Sequence, residues 1–228
     1  MFFFFSFNPY IAIIGDIKES RKLNDRKGTQ DKLLEILNEI NEKYKQDISS
    51  KFMITLGDEF QGLLNSGANV MSIIFDIEQK MYPVKIRFGV GIGEITTNIN
   101  TEMAIGADGP GYYKARDAVK YLKESEMKNR TNASDIRIDV DEDNENTAIM
   151  LNTILSLLTA IKELWTDRQR EIIWDMLAHQ DGQKNAAVRL NITQSAVQKS
   201  LANGKYYAYK EAIETIEKAL CAIRRKDV

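Results

Sequence analysis

The 228-residue chain carries one cysteine, one histidine and three prolines. A single thiol, Cys221, leaves no internal disulfide and no cysteine-built zinc site. A single imidazole, His179, excludes multi-histidine metal centres and argues against histidine-based catalysis. No stretch approaches the ~18 continuous apolar residues of a membrane helix, so no membrane partner is expected. The opening MFFFFSFNPY is apolar. It lacks a basic n-region and a small-residue cleavage site, so it is expected to run into the first strand rather than act as a signal peptide. Charge of one sign is also missing. Thirty-one basic against 33 acidic side chains leave −2, which gives no whole-chain field for nucleic acid. Any chemistry must therefore run on carboxylates, amides, lysines and backbone groups.

What is present suits a soluble chain: 43% hydrophobic and 28% charged residues, and enough length to bury a core without staples. The unpaired cysteine fits a reducing compartment, so a cytoplasmic location is expected. Tyr10–Gly15 is an Ile-rich run, a buried strand ending at Asp16. Leu33, Leu34, Leu37, Ile40 and Tyr44 recur at helical spacing over 28–44. Lys51–Leu56 and Phe60–Leu64 flank Gly57-Asp58-Glu59, a hairpin. Ala68–Lys80 is a second helix closed by Pro83. In Val84–Ile95, Gly89, Gly91 and Gly93 bare one face of a strand, permitting close approach of a helix or ligand. Tyr113–Met127 is a third helix and Asp135–Val140 a last strand, giving the order β-α-β-β-α-β-α-β. The acidic stretch Asp139–Asn146 reads as a solvated linker. Beyond it come helices only: Thr147–Trp165, Thr166–Ala178, two short ones and Tyr206–Arg224. The fold class is α+β, with one domain over 8–142 and an all-α domain over 147–228. Residues 160–228 carry 12 basic and 9 acidic side chains, a local balance of +3.

Asp16 ends a strand and Asp58 tips a hairpin, and in a β-α-β-β sheet these points can adjoin. Two carboxylates brought together repel unless a cation lies between them, and magnesium takes such ligands with substrate phosphates. A turn with no metal is the plainer alternative.

The surrounding strings sharpen this. Asp16-Ile17-Lys18-Glu19-Ser20, Ile54-Thr55-Leu56-Gly57-Asp58, and Ile86 through Glu94 resemble, in order, the core motifs of class III nucleotidyl cyclases. The strings IIGDIKESRKL, ITLGDEFQGLL, IRFGVGIGEITT and AIGADGPGYYKARDAV are similar to the SatD family, a bacterial family. The resemblance implies a ferredoxin-like, cyclase-type palm in which Asp16, Asp58 and the Ile17 carbonyl hold Mg2+ or Mn2+ over a triphosphate. It implies Arg116 as the catalytic residue that neutralises it. Glu59, Gln61, Arg87, Gly93, Asp108, Gly109 and Tyr112 are then candidate nucleotide contacts. Two departures stand out. Ile54 occupies the place of the purine-selecting lysine, and Tyr112 that of the transition-state asparagine. Neither side chain can make the missing hydrogen bonds.

Several of these residues have a plainer reading. Gln61 either meets a base or faces solvent. Arg87 is an exposed strand charge or a phosphate clamp. Asp108-Gly109-Pro110-Gly111 is a turn, or a phosphate cradle using free N–H groups where a helix opens. Gly89 through Gly93 is not a dinucleotide fingerprint, because it lies inside a strand and opens no helix.

The last informative region follows Leu164. From Ala187, Leu190 lies at +3, Asn191 at +4, Ile192 at +5, Val197 at +10 and Leu201 at +14. This is a helix-turn-helix pattern with asparagine in place of the usual turn glycine, which tolerates a left-handed backbone. It resembles region four of sigma factors. That resemblance implies duplex DNA as partner. Gln194, Ser195, Gln198 and Lys199 would face the groove from a helix capped by Thr193, with Arg189, Lys205 and Lys210 on the backbone. Packing alone is the alternative use. The apolar stripe of the last helix serves a core or a homodimer. His179 reads as structural, and Trp165, Trp174 and Cys221 as core residues. The whole reading is a nucleotide- or phosphate-sensing, metal-dependent regulator that binds DNA. The rival is an active nucleotidyl cyclase or transferase whose helices are an interaction module.

Overall fold

The computed structural model describes residues 2–104, 106–129 and 134–223. Strand β1 (Tyr10–Ile17) sends Ile11, Ile13 and Ile17 into one core and Ala12 and Ile14 into another. Side chains of a strand alternate between its faces, so one short run serves both. Helix α1 (Arg26–Lys43) starts at Asp25, whose carboxylate accepts the Gly28 amide at 2.8 Å. β2 (Ile48–Leu56) and β3 (Glu59–Leu64) form a hairpin closed by Gly57-Asp58. Gly57 has φ +58°, where a side chain is strained. α2 (Val70–Met81), β4 (Ile86–Gly93), α3 (Pro110–Asn129) and β5 (Ile136–Asp139) complete the expected order.

The sheet runs β2-β3-β1-β4-β5. The first four strands are antiparallel to their neighbours, the ferredoxin-like arrangement, and β5 adds parallel to β4. A parallel pair needs a crossover, and α3 supplies it. α1 and α2 cover one face and α3 the other. The bare glycine face of β4 is taken by α3: a Cβ on Gly91 would collide with the Gly111 carbonyl and the Ala115 amide.

Five helices follow: α4 (Glu145–Glu163), α5 (Asp167–His179), α6 (Gln183–Arg189), α7 (Gln194–Asn203) and α8 (Tyr206–Cys221). Leu151, Leu155, Ile173 and Ile216 join the same buried cluster as Leu37 and Ile74, so one core runs through the sheet layer and the helices. Arg224, where the sequence places the end of the last helix, lies outside the described residues. The buried Ile216, Ala219 and Leu220 of α8 are spent on this internal core. Trp165 and Trp174 are buried as expected, whereas Cys221 is only half-buried.

The acidic stretch is not a solvated linker. Asp139 ends β5, Glu142–Asn144 form a 3-10 turn, and α4 starts at once. Buried Asn144 grips the backbone of Phe4, accepting its amide at 2.8 Å and donating to its carbonyl at 2.7 Å. The phenylalanine-rich start is thereby held against this turn, with Phe3 buried and stacked on Phe5. Among the described residues, no helix is long and apolar enough to cross a membrane.

Candidate functional site

The two aspartates occupy adjoining backbone positions. Asp16 pairs with Glu59 across β1 and β3, and the Ile17 amide donates to the Asp58 carbonyl at 3.0 Å. Their side chains, however, are committed elsewhere. Asp16 is 5% exposed and lies under α3. One carboxylate oxygen meets Lys123 Nζ at 2.7 Å and the other Arg87 Nη1 at 2.8 Å. Asp58 accepts the Ser20 hydroxyl. A divalent cation on Asp16 would have to displace two side-chain cations from a buried carboxylate. The residues present therefore do not fit the expected Mg2+ or Mn2+ pair. Among the described residues, no group of three or more His, Cys, Asp or Glu is arranged to hold a metal.

Asp16 is instead the second member of a chain of eight alternating charges that runs from Lys123 through Asp16, Arg87, Glu126, Lys18, Asp135 and Lys162 to Glu78. Lys18 Nζ lies 2.7 Å from both Glu126 and Asp135, and Lys162 Nζ lies 2.8 Å from Asp135 and bonds Glu78. Arg87 Nε donates to Glu126 at 3.1 Å. The chain starts on α3, rounds the end of β4 beside β5, and finishes between α4 and α2. Four positive and four negative groups make it neutral, which is what lets all of it but the half-exposed Lys123 be largely buried. Burial alone would raise the Asp135 carboxyl, but Lys162 and Lys18 outweigh it and hold it well below the usual carboxylate range. Burial would likewise lower Lys162, yet Glu78 and Asp135 hold it above the ordinary lysine value. The sequence could not show this chain, because its members lie on six separate segments.

The other expected nucleotide contacts are mostly used inside the protein. Arg87 is neither an exposed charge nor a free clamp; its side chain is 12% exposed and bound to Asp16 and Glu126. Gln61 faces neither a base nor solvent. It is buried and donates to the Ala104 carbonyl beneath the loop after β4. Glu59 opens β3 and accepts the Thr55 hydroxyl at 3.4 Å. Gly93 packs on the first turn of α3. That turn is no anion cradle: the Gly111 amide donates to the Glu94 carbonyl at 3.1 Å, and Tyr112 and Tyr113 donate to Gly109 at 3.0 and 3.2 Å. Asp108 accepts the Tyr113 hydroxyl at 2.6 Å. Among the described residues the buried Tyr112 hydroxyl has no hydrogen-bond partner, and burial pushes it well above the usual phenol range, with nearby Arg116 opposing. Arg116 itself is exposed on α3.

The helical region builds a second surface. The Thr166 hydroxyl accepts the Gln169 amide at 3.2 Å and the Gln169 side chain accepts the Thr166 amide at 3.0 Å, a capping box that starts α5. α6 and α7 are joined through Asn191 at φ +51°, the left-handed turn expected of asparagine there. The Thr193 hydroxyl accepts the Ala196 amide at 3.2 Å and caps α7. Val197 and Leu201 are fully buried, which leaves Gln194, Ser195, Gln198 and Lys199 on an exposed face, with Lys205 at its end. Arg189 does not join them. It is clamped by Asp175 at 2.7 Å and by Asp181, bracing α6 against α5. Lys210 pairs with Glu214 at 2.8 Å. His179 is half-exposed and lies 3.0 Å from the Asp175 carbonyl.

No curated protein matches the chain. Among solved structures it is similar to the catalytic core of a rhodopsin-guanylyl cyclase with converted specificity in complex with ATPαS, at 16% identity over 50% of this chain and 72% of that one, TM-score 0.38. The dimeric guanylyl cyclase domain of the fusion protein from the aquatic fungus Blastocladiella emersonii has 16% identity, 50% and 74% coverage, and TM-score 0.38. The guanylyl cyclase Cya2 has 12% identity, 61% and 78% coverage, and TM-score 0.40. The model of the SatD family matches residues 10–217, through the sheet and the helices alike, and the chain belongs to that family.

Proposed function

We propose that this SatD-family protein is a regulator that binds duplex DNA through α7. One observation carries the reading: α7 is capped, anchored by Val197 and Leu201, and presents an unobstructed polar face. Glutamine side chains can bond adenine edges bidentately, serine hydroxyls suit several bases, and Lys199 can meet phosphate. The modest local charge of +3 predicts weak affinity for a single copy, because phosphate contacts supply much of DNA affinity. Fluorescence anisotropy with labelled duplexes at low salt tests this. Binding that weakens on Gln198→Ala and Lys199→Ala supports it, and no binding at low salt rejects it.

A nucleotide or phosphate ligand on the α+β part is a second reading. It has one observation in its favour: exposed Arg116 stands beside the orphaned Tyr112 hydroxyl. It involves no metal on Asp16, whose carboxylate is occupied by Arg87 and Lys123. Calorimetry with ATP against wild type and Arg116→Ala distinguishes it. Heat that survives the substitution removes the reading.

A further inference from the structure

A cavity of about 310 Å³ lies where α2, α4, α5 and α8 meet, away from α7 and from Asp16. Its apolar wall includes Ile74, Phe75, Leu155, Leu158 and Ile213, and its volume suits a small molecule. Its charged groups are Lys43, Lys162 and Lys210 against Asp76, Glu78, Glu214 and Glu217. Each lysine is already matched. Lys43 bonds Asp76 at 2.6 Å, Lys210 bonds Glu214 at 2.8 Å, and Lys162 is held by Glu78 and Asp135. Asp76 also accepts the Tyr44 hydroxyl at 2.8 Å. Glu217 is left over. It is half-buried on α8 and has neither hydrogen bond nor ion pair among the described residues.

We propose that this cavity binds a small organic ammonium ion with an apolar body, Glu217 serving as its counter-ion. An anion is disfavoured, because no lysine in the wall is unmatched and Glu217 would repel it. A neutral apolar molecule would fill the volume but leave the carboxylate without a partner. Burial, with Glu214 nearby, pushes the Glu217 carboxyl above the usual range, as expected of a carboxylate that lacks a positive neighbour. The site stands apart from the DNA reading and does not depend on it.

Calorimetry on the full chain at neutral pH with 2-phenylethylammonium, and with 2-phenylethanol as its uncharged counterpart, tests the proposal. The amine is expected to bind about tenfold or more tightly than the alcohol, and Glu217→Gln to remove that difference. Glu217 is only half-buried, so the variant keeps its fold; an unchanged circular dichroism spectrum and melting temperature confirm it. Ile213→Trp, which fills the cavity, is expected to abolish binding of both. Equal affinity for amine and alcohol, undiminished amine binding to Glu217→Gln, or no binding of the amine to wild type each overturns the proposal.

Discussion

Asp135 is the residue on which the buried charge chain turns, and removing its charge should be expensive. Its carboxylate is bound by Lys18 at 2.7 Å and Lys162 at 2.8 Å, and all three side chains are under 10% exposed. Asp135→Asn keeps the shape but leaves Lys18 on Glu126 and Lys162 on Glu78, with one positive charge of the chain uncompensated. Breaking a buried pair by removing one partner costs about 3–5 kcal/mol. For a chain of this size that is a fall in melting temperature of about 6–20 °C. Urea denaturation followed by circular dichroism measures it. Glu19→Gln, which breaks an exposed pair with Lys22, is the control and should change nothing measurable. The pH dependence has a definite sign. The folded carboxyl sits below its unfolded value of 3.8, so its stabilisation is complete above that value and disappears as pH falls through the lower folded value. The gap between wild type and variant should be constant from pH 5 to 8 and narrow only in stronger acid. A loss below about 1 kcal/mol, the range of exposed pairs, would mean that water reaches these groups and that the chain is not buried in solution.

Asp16→Asn should lower the melting temperature equally in EDTA and in millimolar Mg2+, because it uncouples Arg87 and Lys123 rather than removing a metal ligand; a Mg2+-dependent difference would restore the metal pair. Gly91→Ala drives a methyl into the backbone of α3 and should cost about 1–3 kcal/mol or more by urea titration. Asn144→Ala frees the Phe4 backbone and should speed proteolytic cleavage within residues 2–7, read by mass spectrometry. Arg189→Met should destabilise the packing of α6 on α5 while leaving the salt dependence of any DNA binding unchanged, since its charge is already matched by Asp175 and Asp181.

Element order and sheet membership were legible because short Ile-rich runs and helical spacing are local signals. The glycine face of β4 was read correctly as a place of close approach, though not which partner comes close; α3 takes it. The acidic stretch misled because Asn144 is polar in composition but buried by what it grips. Arg87 and Gln61 misled for a related reason. Whether a charged or amide side chain faces solvent depends on distant segments, here Glu126 on α3 and Ala104 in the loop after β4. The family strings pointed to two aspartates that adjoin in the backbone. They could not show that Lys123, 107 positions further on, reaches back to Asp16. The turn at Asn191 and the cap at Thr193 were readable because each depends on its own residue and near neighbours.

A salt titration of duplex DNA binding, on wild type and Lys199→Ala, tests the DNA-reading surface most directly. Wild type should bind at low salt with log K falling linearly against log salt, and Lys199→Ala should lower the slope by about one. A wild type that does not bind, or a slope that Lys199→Ala leaves unchanged, would contradict it.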